Sequence, residues 1–116
     1  MEFHTIAASM LLGDLLDTVN LYSNPHNGMY MVCVIDVLER LGVSTPALLI
    51  FFSDDEEDEH FFGFLTAGNM TTLGELTDVQ EVIKIAKSQK DNVTSEELLA
   101  SVIYFLDHDA FFNIPK

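Results

Sequence analysis

The chain has 116 residues, the length of one ordinary domain, and its 19 acidic side chains against five basic ones give a formal net charge of -14. A field of that sign repels nucleic acid phosphates and anionic lipid headgroups and draws in basic surfaces, so direct nucleic acid binding and membrane association are not expected. Hydrophobic residues at 48%, with Gly and Pro sparse, exclude general disorder, and the lone Cys33 excludes an intrachain disulfide.

From Ile6 to about Tyr22, Leu12, Leu15, Leu16 and Val19 recur at helical spacing with Asp14, Asp17 and Asn20 on the other side, which predicts an amphipathic helix. Turn residues crowd Ser23 to Gly28 and predict a loop. The run Met29 to Leu41 reads two ways. Met31, Val34, Ile35, Leu38 and Leu41 fit a helical stripe, whereas Val32, Val34, Ile35 and Val37 form a β-branched cluster suited to a strand. Its length and Gly42, a common helix terminator, select the helix.

Ala47 to Phe52 and Phe61 to Leu65 are short apolar runs with aromatic and β-branched content, and they predict two paired strands joined by the acidic loop Asp54 to Glu59. Gly68-Asn69 marks a turn, and Thr71 to Leu73 predicts a short third strand. Thr77-Asp78-Val79-Gln80 has the form of a capping box opening a helix from Asp78 to Gln89, striped by Val79, Val82, Ile83 and Ala86. Lys84, Lys87 and Lys90 lie toward its C-terminal end, where positive charge suits the helix dipole. A second box, Thr94-Ser95-Glu96-Glu97, opens a closing helix striped by Leu98, Leu99, Val102, Ile103 and Leu106 that ends near Asp109. The expected fold is α+β: a single acidic domain over 1–116 in which a small, mainly antiparallel sheet packs against N-terminal and C-terminal helices. No apolar stretch approaches the roughly 20 residues of a membrane span, and Glu2 stands where a secretory leader would carry positive charge, so a cytoplasmic location is expected.

The chemistry-bearing residues are few in kind. Six carboxylates run together as Asp54-Asp55-Glu56-Glu57-Asp58-Glu59, and their mutual repulsion requires an exposed loop unless cations or a basic partner compensate. The run reads as a solvated loop, as a partner-binding loop or, third, as a cation site, although the alternating ligands and central Gly of an EF-hand are absent. His4, His26, His60 and His108 show no metal-ligand spacing, and His60 and His108 read as exposed residues with a structural or electrostatic role. Cys33 lies among Met31, Val32, Val34 and Ile35, a setting for core packing and not for a nucleophile. No GxSxG, P-loop or GxGxxG pattern occurs, so no catalytic residue, metal or cofactor is assigned and a non-enzymatic binding role is expected.

In the C-terminal third, about residues 76–112, Asp78-Val79-Gln80, Val82-Ile83, Ala86-Lys87, Gln89-Lys90, Leu98-Leu99, Tyr104 and Asp109-Ala110-Phe111 resemble a family of small acidic bacterial proteins. These occur as immunity proteins of polymorphic toxin and contact-dependent growth inhibition systems. Ile85 departs from the polar residue expected there, and the N-terminal half has no placed counterpart. The resemblance implies a cytosolic antidote that neutralises a cognate basic toxin domain, a nuclease in the leading case, by blocking its active site or substrate approach. Acidity suits that target independently, because nucleases carry basic clefts.

The alternative is a nucleic-acid-mimicking inhibitor of a host defence or restriction nuclease, which would call for carboxylates spread along an elongated face. A third class is a small metal-dependent enzyme using His60 or His108. For the binding module, the expected surface combines Asp54, Asp55, Glu56, Glu57, Asp58 and Glu59 with Glu97, Tyr104, Asp107 and His108 on the outer face of the last helix. Tyr104 there reads as an exposed interface anchor or as a half-buried core residue, and the resemblance favours the former.

Overall fold

A computed structural model describes residues 6–35, 40–55 and 57–114. Strand β1 (Ile6–Leu11) leads directly into helix α1 (Leu12–Thr18) and a short 3-10 turn, Val19–Leu21. Strands β2 (Gly28–Val34) and β3 (Pro46–Ser53) follow, then helix α2 (Asp58–Ala67), strand β4 (Thr71–Glu75), and helices α3 (Leu76–Gln89) and α4 (Ser95–His108). The four strands form one antiparallel sheet in the order β1-β3-β2-β4. The α+β expectation therefore stands, with the sheet packed against helices from both ends of the chain.

Strand alternation divides the core in two. Val32, Val34, Ala47, Leu49 and Leu73 point to one face and meet Leu12, Leu15 and Leu16 of α1, Val79, Val82 and Ile83 of α3, and Leu98, Leu99 and Val102 of α4. Met31, Cys33, Leu48 and Ile50 point to the other and meet Phe61 and Leu65 of α2. Burial on both faces explains why 29–34 is continuously apolar and carries two periodicities at once.

Two glycines are required where they stand, one by close approach and one by backbone conformation. A Cβ on Gly28 would lie 2.4 Å from the Phe52 carbonyl oxygen, so a side chain there would clash with β3. At Gly74 the backbone has φ +138 where the β2–β4 register skips a residue, a bulge conformation that L side chains rarely adopt.

Several expectations are corrected. Residues 6–11 form β1, not the start of a helix; only from Leu12 does the apolar stripe turn helical, because the preceding small residues find hydrogen-bonding partners on β3. The helix expected for Met29 to Leu41 is strand β2 through Val34, held between β3 and β4, while residues 36–39 of that stretch lie outside the described residues. The strand expected for Phe61 to Leu65 is instead part of α2, where Phe61 and Leu65, one helical turn apart, supply the buried face.

The capping box at Thr77 does not form. The helix starts at Leu76, and the Gln80 amide donates to the Val19 and Tyr22 carbonyls at 3.0 and 2.7 Å, fastening α3 to the 3-10 turn. Thr94 does cap α4: its hydroxyl accepts from Glu97 N at 3.2 Å while its own N-H donates to Glu97 Oε1 at 2.9 Å. On α4 the stripe narrows, since Ile103 is half-buried and Leu106 is 40% exposed. Beyond it, the Gln89 side chain bonds the Phe112 carbonyl at 2.7 Å and Ile114 N at 2.6 Å, seating Ile114 in the larger core.

Candidate functional site

The acidic run begins where β3 ends. Ser53 is buried and its hydroxyl accepts from Asp55 N at 3.2 Å, while Asp54 N donates to the Asn27 carbonyl at 3.0 Å, pinning the turn against the loop before β2. Asp54, Asp55, Glu57, Asp58 and Glu59 are all exposed; Glu56 lies outside the described residues. The expected loop is shorter than Asp54 to Glu59, because Asp58 and Glu59 occupy the first turn of α2. Negative charge in a first helical turn suits the positive dipole end of the helix, which offsets part of the crowding. None of the five described carboxylates has an ion-pair partner.

Beside this run lies a pocket of about 180 Å³ lined by the apolar Met29, Met31, Phe52 and Phe62 and by the acidic Asp58 and Glu75. Register builds it: Met29 stands opposite Phe52 across β2 and β3, and Met31 opposite Glu75 across β2 and β4. From behind, the fully buried Phe61 ring packs 4.4 Å from Phe52 and 6.0 Å from Phe62, centroid to centroid. Phe62 is 49% exposed and forms an outer wall.

The α4 residues behave differently. Glu97 is engaged by Thr94 and by Lys90, whose Nζ lies 2.7 Å from its carboxylate, and first the Lys90 bond and then the Thr94 backbone bond hold its pKa below the ordinary value. Tyr104 is half-buried, correcting the view of it as an exposed anchor: its ring stacks on His108 at 4.1 Å and tilts onto Phe112 at 5.3 Å. His108 Nδ1 lies 3.1 Å from the Tyr104 carbonyl, a contact whose direction depends on the tautomer. Asp107 and His108 remain exposed.

The expected surface is thus not one patch. Helices α2 and α4 pack on opposite faces of the sheet, so the structure separates the acidic run from the four α4 residues. The pocket residues Met29, Met31, Phe52, Phe62 and Glu75 were missed, because reading 29–41 as a helix and 61–65 as a strand removed the register that assembles them. The alternating Met29 and Met31 of an apolar run were the available signal.

Among the described residues no three His, Cys, Asp or Glu side chains converge to hold a metal ion, and no helix is long and apolar enough to cross a membrane. A family described as a domain of unknown function (DUF7716) matches residues 12–114, from the start of α1 to the buried Ile114. No curated protein and no solved structure matches the chain.

Proposed function

This chain belongs to the DUF7716 family, whose description carries no activity, and we propose from its own surface that it is a non-enzymatic module binding a basic macromolecule. The observation that carries this reading is the exposed set Asp54, Asp55, Glu57, Asp58 and Glu59, without an ion-pair partner among the described residues and bordering an apolar pocket, on a chain of net charge -14. Uncompensated charge steers a basic surface toward the site, and buried apolar contact retains it once docked. The resemblance of the C-terminal third narrows the proposal to a cytoplasmic immunity protein that neutralises a basic toxin domain, with a nuclease as the leading target.

The test is coexpression with the open reading frame immediately upstream in the source genome. The reading expects that frame to arrest growth by itself, and this chain to restore growth and copurify with its product. An upstream product that is harmless, or that kills regardless of this chain, counts against the immunity role. Its copurification with a protein lacking any basic surface would count against the broader one.

A further inference from the structure

We infer that the pocket formed by α2, β2, β3 and β4 receives an arginine side chain of the partner, an inference that rests on the basic-partner reading above and names its anchoring site. Four of the residues lining the pocket are apolar, Met29, Met31, Phe52 and Phe62, and the other two, Asp58 and Glu75, are acidic. Its volume of about 180 Å³ falls below the ~300–1,000 Å³ of small-molecule sites and suits one side chain. Among the described residues neither carboxylate has an ion-pair partner.

Those features select the occupant by elimination. An anionic group would be repelled, and a purely hydrocarbon side chain would strip water from two carboxylates without replacing their hydrogen bonds. A long apolar stem ending in a cation satisfies walls and carboxylates together. Between the two such side chains, the planar guanidinium stacks on an aromatic face such as the exposed Phe62 ring, offers forked N-H donors to carboxylates, and is more weakly hydrated than an ammonium. The two methionines let the walls adjust around it, while the Phe52–Phe61–Phe62 cluster keeps the pocket formed before binding.

The experiment is a titration of the full chain, labelled at its methionine methyls and with 15N at its backbone amides, with acetyl-Gly-Arg-Gly-amide and with its lysine and citrulline counterparts, followed by NMR at low salt. The Met29 and Met31 methyls should shift with the arginine peptide, less with lysine and least with neutral citrulline, while Met10, on the opposite sheet face, stays still. The double variant D58N/E75Q should weaken the response roughly fivefold or more, whereas D54N/D55N/E57Q should leave the same methyls shifting. Equal response to arginine and citrulline overturns the inference, as does a lysine peptide that matches arginine. Shifts confined to the amides of Asp54, Asp55 and Glu57 overturn the pocket and leave the basic-partner reading standing. No response anywhere to the arginine peptide overturns the pocket and counts against the acidic site as a whole.

Discussion

Cys33 lies fully buried in the central strand β2, and burial pushes its thiol up to about 12 against the opposing hydrogen bond from Thr72. At about pH 8 the group is therefore a neutral thiol, and a chromogenic thiol reagent should leave the native protein unmodified while reacting promptly once it is unfolded. Rapid native-state labelling would place Cys33 outside the core. Packing is tested by two substitutions. Ile83 is fully buried among α3, α4 and the sheet, so Ile83→Ala should cost about 2–5 kcal/mol in denaturant unfolding. Leu106, 40% exposed, should lose less than about 0.5 kcal/mol on the same change.

At the level of elements, two capping-box patterns that look alike in sequence have different fates. Thr94→Ala should destabilise by about 0.5–2 kcal/mol, because the hydroxyl satisfies Glu97 N, whereas Thr77→Ala, inside the first turn of α3 with no capping bond, should be close to neutral in the same unfolding assay. Glu97 adds a pH signature. Its lowered pKa means that its stabilisation is present above the ordinary carboxylate pKa and is lost as pH falls through the lowered value. The stability gap between the native chain and Glu97→Ala should accordingly be open at neutral pH and close in acid; a gap that widens on acidification would contradict the assigned bonds.

Where an element's pattern is local, it was legible: α4 with its cap, the stripe of α3, strand β3, and the core of α1 from Leu12 onward. Where long-range pairing decides, it was not. Nothing near Ile6–Leu11 or Met29–Val34 announces that β3 will lie between them, and the aromatics of 61–65 favour a strand until Asp58 and Glu59 are seen to open a helix. Of the candidate site, the acidic run was legible from charge, while the pocket beside it depends on a β2–β3–β4 register that no single segment encodes.

On the scale of the whole molecule, a net charge of -14 surrounds a sheet covered on both faces, and the proposed binding site lies at the end of β3 and the start of α2. If the proposed binding role holds, attraction by exposed charge governs how fast a partner arrives, and the apolar pocket governs how long it stays. Removing acidic-run charge in D54N/D55N/E57Q should therefore slow association with little change in dissociation, while D58N/E75Q should mainly speed dissociation in the same kinetic traces. The most direct measurement is the association rate constant of the native chain with the partner recovered by coexpression, followed from about 0.1 M to about 1 M salt, over which the screening length shrinks from ~10 to ~3 Å. The account predicts a fall of about tenfold or more across that range, and a smaller fall for D54N/D55N/E57Q. A rate constant that is independent of salt, and equal in the two proteins, would contradict it.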